Sequence, residues 1–412
     1  MLMSLIPLFD ENMVVSAYSI YSRKNNYFTN LSRLGAEFAD GVAGADGLNL
    51  ISRVGIDTLS SKAPIFVPLT NISVLTDVEN QCDVAPERII FLIDNSIPPV
   101  EMYINRIAQL KECGFGIAVQ KLAISDFMPY AEILKHADYI FLDYQKIVIE
   151  KAKIFFEKLY PNVSLCAVNI DTMDTYLSLK EKGGYTYYEG PFYRVPVTKG
   201  DAEVSPLKIN YIQLLNIVNA PDFNLDEAAD IIGRDTALTI SLLKMVNRMT
   251  VNSGITTIRH ASAMLGQKEL RRWINTAVAN ELYSDKPSEI TRISLLRAKF
   301  AEYLSSDFGL ASRTEELFLM GLFSVLDVIM EKPMSEALEI LQVGGDVKSA
   351  LLDGTGPLAD IYNMVILYEA ANWTELSRVL LLANKDTDIV SNAYMKSLEW
   401  YRDLNAETED NV

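Results

Sequence analysis

Histidine and cysteine are scarce in this chain of 412 residues. Neither of its two histidines, His136 and His260, has a cysteine, histidine or carboxylate partner at the spacing of a metal site. Its three cysteines, Cys82, Cys113 and Cys166, lie far apart and form no CxxC pair, which is typical of unpaired thiols in a reducing compartment. The composition therefore predicts no metal site, no disulfide framework and a cytoplasmic location.

Positive charge and long apolar runs are also in short supply. Lys and Arg number 37 against 54 Asp and Glu, and the formal charge of −17 would repel a phosphate backbone over most of the surface. No apolar run reaches the roughly 18 residues that span a bilayer, and the apolar start Met1–Phe9 has no basic region before it. We therefore expect no membrane segment, no signal peptide and no nucleic-acid partner. A solvated or partner-binding face is expected at a local basic patch of Arg259, Lys268, Arg271 and Arg272.

A chain of this length exceeds the size at which one core usually keeps growing, so two domains of roughly 200 residues are expected. In the first half, short β-branched runs alternate with segments of helical period, which predicts βαβ units and a parallel sheet. Because Ile89–Ile93 is apolar at every position, as in a strand buried on both faces, we expect the sheet to close into a barrel. The predicted strands are Val14–Ile20, Ile65–Leu69, Ile89–Ile93, Ile117–Leu122, Tyr139–Tyr144, Leu165–Ile170 and Tyr185–Tyr188.

Beyond the polar stretch Lys199–Glu203 the pattern is helical throughout. Asn224 with Glu227 three positions later predicts a helix start, and Gly233 predicts its end. Further helices are predicted at Ala237–Asn247, Ile258–Leu265, Lys268–Leu282, Ser288–Ser305, Thr314–Met330, Pro357–Ala371, Glu375–Ala383 and Asn392–Leu404. We therefore predict an α/β barrel domain over 1–200, an all-α domain over 201–404 and an acidic tail over 405–412.

Three blocks of the second half resemble the HDOD family, an HD-related output domain that has lost the HD metal ligands. They are Ile231–Leu238 continued by Leu242–Asn247, Ile255–Gly266, and Gly321–Val325. Where an HD enzyme has Gly-Leu-Leu-His-Asp, this chain ends its block with Ser324 and Val325 in place of the ligand pair. The resemblance covers about 205–385 and implies a role in bacterial signal transduction and gene regulation through protein contacts.

The first half resembles the EAL family of cyclic-di-GMP phosphodiesterases. That resemblance implies a modified TIM-like barrel with its site at the C-terminal ends of the strands. The framework motifs that carry it are Pro86–Ile90, Gly114–Ala118, Ala137–Ile140 and Tyr188–Phe192.

The resemblance also indicates which residues stand at the family's functional positions. Attack of water on a phosphodiester uses divalent metals held by a carboxylate cluster. The resemblance places the family's Glu residues at Ser19, Leu92 and Val168, and its Asp-Asp pair at Gln120 and Lys121. It places the family's Asn at Pro68, its lysine at Phe141 and the Gln of its closing motif at Glu189. We therefore expect no catalytic residues and no bound metal. The positions of a vestigial nucleotide site are Ser19, Arg23, Asp143, Asp171 and Glu189.

The leading hypothesis from the sequence is a bacterial signalling protein that is not an enzyme, needs no cofactor and acts through protein partners. Two alternatives stay open. One is a receptor that binds cyclic-di-GMP without cutting it, and the other is an active phosphodiesterase with a rebuilt site. Association of the chain with itself is also open, because EAL-like barrels often self-associate.

Overall fold

The computed structural model describes residues 2–23, 45–194, 206–220, 223–249, 255–282, 288–341 and 343–409. Their contacts divide the chain into two compact units. The first, here called the barrel unit, consists of Met1–Val195 together with Met364–Val412. The second, the helical unit, is Pro196–Asn363.

Eight strands of the barrel unit close into a barrel in chain order, which confirms the predicted α/β barrel. Strands β2 to β8 run parallel, and β1 is antiparallel to both of its neighbours. Their bounds are β1 Leu2–Phe9, β2 Val15–Arg23, β3 Ile65–Pro68, β4 Ile89–Ile93, β5 Gly116–Val119, β6 Tyr139–Asp143, β7 Ser164–Val168 and β8 Tyr187–Tyr188. The sequence pattern did not predict β1, because both of its faces are buried and it has no period-two alternation.

Helices cover the outside of the barrel between the strands. Helical periodicity in the sequence predicts helices at Val100–Glu112, Met128–His136, Ile147–Leu159 and Met173–Glu181. Helices α3 and α5 end at the predicted residues, whereas the helix predicted over 128–136 is reduced to the short α4. The bounds in this part of the chain are α1 Asp46–Val54, α2 Ile56–Ser60, α3 Glu101–Glu112, α4 Ala131–Leu134, α5 Ile149–Leu159 and α6 Met173–Lys182.

The inside of the barrel is filled by one apolar cluster, to which β1 to β7 each contribute. Its buried members are Leu8, Ala17, Phe66, Ile90, Leu92, Ala118, Phe141, Cys166 and Val168, with Tyr139 and Tyr187 packed against them. Phe66 is fully buried, and its ring centroid lies 5.1 Å from that of Phe141 and 5.3 Å from that of Tyr139. Aromatic side chains therefore occupy the space that a closed barrel of this size leaves for side chains.

The helical unit contains helices from α7 to the start of α16, as the all-α prediction requires. Gly266 has a left-handed φ of 73° and divides α10 at the break between the two helices predicted there. The bounds are α7 Pro206–Asn219, α8 Leu225–Ile232, α9 Thr236–Met249, α10 Ile258–Leu282, α11 Ser288–Leu304, α12 Thr314–Phe323, α13 Leu326–Met330, α14 Met334–Ile340, α15 Gly345–Asp353 and α16 Ala359–Glu369. Gly321 of α12 lets that helix approach α11, since a Cβ there would lie 2.4 Å from the Arg297 carbonyl carbon.

The last helices differ from the predicted domain boundaries. Helices α17 (Trp373–Leu382) and α18 (Thr387–Glu409), with the end of α16, belong to the barrel unit, whereas the sequence assigned residues up to 404 to the all-α domain. Helix α18 also extends through most of the predicted acidic tail. Helical periodicity shows that a helix buries one face but does not identify its partner, which is why the boundary near 364 had no local signal.

We predict that Phe66→Ala lowers the free energy of unfolding by about 3–5 kcal/mol, because the buried ring leaves a cavity. Chemical denaturation of the full chain measures this change. The control is Ile154→Ala on α5, where the side chain is 65% exposed and the expected change is within about 0.5 kcal/mol. Equal losses of unfolding free energy in Phe66→Ala and Ile154→Ala would show that the apolar cluster inside the barrel, here called the lumen cluster, does not stabilise it.

Candidate functional site

The mouth of the barrel, defined as the C-terminal ends of β2 to β8, carries the residues predicted for a nucleotide site. Alternate residues of a strand share one face, and the lumen cluster fixes which residues face inward. Ser19, Gln120 and Asp143 each follow an inward residue by two positions, and Glu189 follows Tyr187 in the same way. Gln120, Asp143 and Glu189 therefore belong to the lumen face at its C-terminal end, whereas Ser19 belongs to the lumen face at the middle of β2.

Asp143 is the centre of a hydrogen-bonded cluster at the ends of β6, β7 and β8. It is 9% exposed, and its Oδ2 accepts a hydrogen bond of 2.8 Å from Asn169 Nδ2. Its Oδ1 accepts from the Gln145 backbone N–H at 3.0 Å, and Lys146 Nζ lies 3.0 Å from Oδ2. The Asn169 backbone N–H donates to Glu189 Oε2 at 3.3 Å. One asparagine therefore links the two carboxyl groups.

Asn169 reaches both groups because of its backbone conformation. Its φ of 61° lies in the left-handed region, which asparagine adopts more readily than most residues. Gln145 supports the same turn, since its Nε2 donates to the Asn169 carbonyl at 3.2 Å and to Asp171 Oδ1 at 2.8 Å. The loops after β6 and β7 are thereby held together at the mouth.

Burial at the mouth alters the ionisation of Glu189. Burial raises its pKa to about 7 from an ordinary 4.5, and the charge of Asp143 acts in the same direction. The Asn169 N–H and the charge of Arg194 oppose this shift without cancelling it. Near neutral pH a substantial fraction of Glu189 is therefore uncharged, with one O–H donor and one carbonyl acceptor.

Glu189 is fixed in place by the turn that follows β8. Gly190 has a φ of 146°, and a Cβ at this position would lie 2.2 Å from the Ile170 carbonyl oxygen. Only glycine allows this approach, and it places Glu189 N–H within 2.9 Å of the Ala167 carbonyl. The predicted Tyr188–Phe192 motif is thus a close crossing of two backbones beside the lumen.

A second charged pair lies at the ends of β4 and β5. Lys121 has a left-handed φ of 57°, and its Nζ lies 3.0 Å from Asp94 Oδ2. Burial raises the pKa of Asp94, but hydrogen bonds from Ser96 and the Lys121 ammonium more than compensate and leave it below its usual value. Asp94 is therefore ionised and already paired with a cation.

The side chains at the mouth do not fit the metal pair that the family resemblance implies. The inward positions Ser19, Leu92 and Val168 carry a hydroxyl and two aliphatic groups, all buried. The Asp143 carboxylate is engaged by Asn169, Gln145 and Lys146. Across the described ranges, no group of three or more His, Cys, Asp and Glu side chains is placed to hold a metal ion.

The predicted site residues thus divide into three groups. Asp143, Glu189 and, through Gln145, Asp171 form one cluster. Ser19 is buried on β2, two strands from β8 around the barrel. Arg23 is the last residue of β2, and its side chain lies outside the part of the chain that the structure describes.

Asn169, Gln145 and Lys146 were not predicted from the sequence. Their signal is position alone, because each follows a buried strand by one to three residues and so falls at the mouth. A rule that considered every polar residue just after a strand would have included them.

In the helical unit, the two residues that the resemblance places at the HD ligand positions are Ser324 and Val325, and both are buried. Ser324 Oγ donates to the Gly321 carbonyl at 2.6 Å and accepts from Arg297 Nη1 at 3.0 Å. Val325 is 3% exposed and packs in the core. Burial raises the pKa of the nearby Asp327, and the charge of Arg297 partly offsets this. A buried guanidinium, that of Arg297, therefore lies beside Ser324, one of the two residues that the resemblance places at the HD ligand positions.

The arginines of the predicted basic patch are paired with carboxylates. Arg259 contacts Asp230 at 3.0 Å, and Arg271 contacts Glu315 and Arg272 contacts Glu302 at 2.9 Å each. Their charge is balanced within the helical unit, as in a solvated face of mixed charge.

Comparison with known proteins bears on both halves. The family profile of the HDOD domain matches residues 205–343. The cyclic di-GMP phosphodiesterase CdgJ of Vibrio cholerae is 27% identical over 328 residues, which is 77% of this chain and 74% of that protein. The uncharacterized protein YuxH of Bacillus subtilis is 25% identical over 415 residues, 97% of each chain. Among solved structures, the PaMucR phosphodiesterase in complex with c-di-GMP matches 46% of this chain and 94% of its own, with 15% identity and a TM-score of 0.36.

The Vibrio relative corrects one expectation. The sequence predicted that the chain is not an enzyme, and a relative that covers 77% of it is named a phosphodiesterase. The lost family residues alone do not decide that question. A further expectation concerns membranes: among the described helices, none is long and apolar enough to span a bilayer.

We predict that Glu189 makes stability depend on pH. Because its folded pKa is raised, ionising it opposes folding, so the free energy of unfolding falls by up to about 1.4 kcal/mol for each pH unit between 5 and 7. Glu189→Gln has no such ionisation, and the difference between the two proteins in denaturation experiments isolates the effect. Exposed Glu181→Gln serves as control and should follow the wild type. Parallel stability curves for wild type and Glu189→Gln would exclude the raised pKa.

Proposed function

We propose that this chain, an EAL-type barrel joined to an HDOD domain, is a cyclic-di-GMP signalling protein whose barrel mouth binds the cyclic dinucleotide. The observation that carries the proposal is the linked Asp143–Asn169–Glu189 cluster on the lumen face at the strand ends. The activity named for the Vibrio cholerae relative supports the choice of ligand.

The chemistry of the cluster suits a guanine. The Watson–Crick edge of guanine offers two N–H donors beside one carbonyl acceptor, so a group that both accepts and donates can pair with its N1–H and its carbonyl oxygen. The family resemblance places an amide at the position of Glu189. A protonated carboxyl has the same donor and acceptor pair as an amide, and burial keeps Glu189 protonated over part of the neutral range.

Repulsion between negative charges also favours the protonated form of Glu189 when the ligand binds. Cyclic-di-GMP carries two phosphodiester anions, and an ionised Glu189 would add to the charge of Asp143 and repel them. The positive charges beside the cluster are Lys146, whose Nζ lies 3.0 Å from Asp143 Oδ2, and Arg194, whose charge acts on Glu189. Lys121 adds a further positive charge at the end of β5. Binding is therefore favoured when Glu189 is neutral.

We also propose a reducing, cytoplasmic setting. Cys82, Cys113 and Cys166 are all unpaired thiols, and Cys166 is buried in the lumen, which supports a compartment where disulfides are not needed.

Calorimetric titration of the full chain with cyclic-di-GMP tests the proposal. The expected affinity is about tenfold weaker at pH 8 than at pH 6, because Glu189 ionises between them. Glu189→Gln should bind equally at both values, and Glu181→Gln should keep the wild-type dependence. No heat from wild type and Glu189→Gln, or an affinity that rises with pH, would contradict the proposal.

Hydrolysis is measured separately on the same samples. Incubation with Mg²⁺ or Mn²⁺ followed by chromatography detects the linear dinucleotide, and turnover that EDTA abolishes would give this chain the activity named for its Vibrio relative. Binding and turnover are thus read independently.

A second candidate function, docking of a protein partner, is favoured by exposed apolar side chains around the mouth. They lie on the loops and first helical turns after four consecutive strands and are 40–69% exposed: Ile72, Leu75, Val100, Met102, Ile124, Met128, Tyr144 and Val148. A contiguous exposed apolar surface of this kind commonly marks an interaction site.

We predict that Ile124→Ser with Met128→Ser weakens such docking, because it removes the apolar area that contact would bury. Light scattering shows whether the partner is a second copy, and affinity capture from the native cell with mass spectrometry compares other partners. The control pair is Ile154→Ser with Leu159→Ser on α5, which is exposed but away from the mouth. Identical assembly and captured proteins for both pairs would count against docking at the mouth.

A further inference from the structure

The edge of β1 that faces β8 is only partly paired. In the described strands these two meet at one position, Phe9 with Tyr188, whereas β1 pairs with β2 along its whole length. We call the gap between β1 and β8 the seam. An unpaired edge exposes backbone donors and acceptors that need other partners.

Residues from the far end of the chain supply one partner for the backbone of β1 and one for a side chain of β1. The Met3 backbone N–H donates to the Tyr368 hydroxyl at 3.3 Å, and the Ser4 hydroxyl donates to the Glu369 carbonyl at 3.2 Å. On the β8 side, Arg194 Nη1 lies 3.3 Å from Glu369 Oε2. Two consecutive residues at the end of α16 therefore contact both sides of the seam.

These two residues are held by the helices that follow them. Tyr368 is fully buried, with its ring centroid 4.6 Å from that of Tyr394 and 5.2 Å from that of Trp373. Helix α18 packs on β1 and α2, where Arg402 donates to Thr58 Oγ1 at 2.8 Å. The segment Met364–Glu409, here called the strap, is thus anchored on the barrel at several points.

The strap is joined to the rest of the chain through the helical unit. That unit, Pro196–Asn363, lies in sequence between the two parts of the barrel unit. Helix α16 begins at Ala359 in the helical unit and ends at Glu369 on the seam. The same helix therefore belongs to both units.

We propose that the strap holds the seam between β1 and β8 closed, and that its release opens the barrel along this seam. Without the Tyr368 hydroxyl and the Glu369 ion pair, the described β1 edge keeps its β2 partner but loses contacts on the other side. Local opening is then confined to the seam, because strands β2 to β7 are each paired on both sides. This proposal does not depend on which ligand the mouth binds.

Hydrogen exchange read by mass spectrometry on the full chain tests it. Tyr368→Phe keeps the packed ring and removes the acceptor hydroxyl, and Glu369→Gln removes the ion pair with Arg194. Each should speed amide exchange in residues 2–9 about tenfold, while exchange in β4 and β6 stays at the wild-type rate. The control is Glu375→Gln, which breaks only the exposed ion pair with Arg378 on α17 of the same strap.

Exchange in residues 2–9 that is unchanged in both Tyr368→Phe and Glu369→Gln would overturn the proposal. So would equal acceleration in Glu375→Gln. Uniform acceleration in β4 and β6 would also overturn it, because the strap would then stabilise the whole barrel and not the seam.

Discussion

Closure of eight strands around one apolar cluster is the constraint on which the rest of the barrel unit depends. Once Phe66 and its neighbours fill the lumen, the alternation of each strand decides which residues face inward at its end. Asp143 and Glu189 follow inward residues by two positions, so packing inside the barrel brings two carboxyl groups to the mouth.

Burial at the mouth then changes the chemistry of those groups. Asn169 bonds to both, and burial raises the pKa of Glu189 to about 7, so near neutral pH this carboxyl group can donate as well as accept a hydrogen bond. The strap adds a second constraint on the barrel, because Tyr368 and Glu369 near the C-terminal end contact its first strand.

The sequence predicted those elements whose pattern lies within a few neighbouring residues. Strand β4 is an unbroken apolar run because it is buried on both faces, and Gly266 separates two helices because of its left-handed backbone. The role of Asn169 depends on a left-handed turn and on the register of three strands, which no local pattern specifies. The strap was predicted as helix, but its partners are distant in sequence, as the contact between Met3 and Tyr368 across 365 positions shows.

The mouth of the barrel is proposed to hold a cyclic dinucleotide beside Asp143, Asn169 and Glu189. A crystal structure of the full chain grown with cyclic-di-GMP at pH 6 tests this binding mode. Density for a guanine is expected within hydrogen-bonding distance of the Glu189 carboxyl group. An empty mouth at saturating ligand, or the dinucleotide bound only to the helical unit, would contradict it.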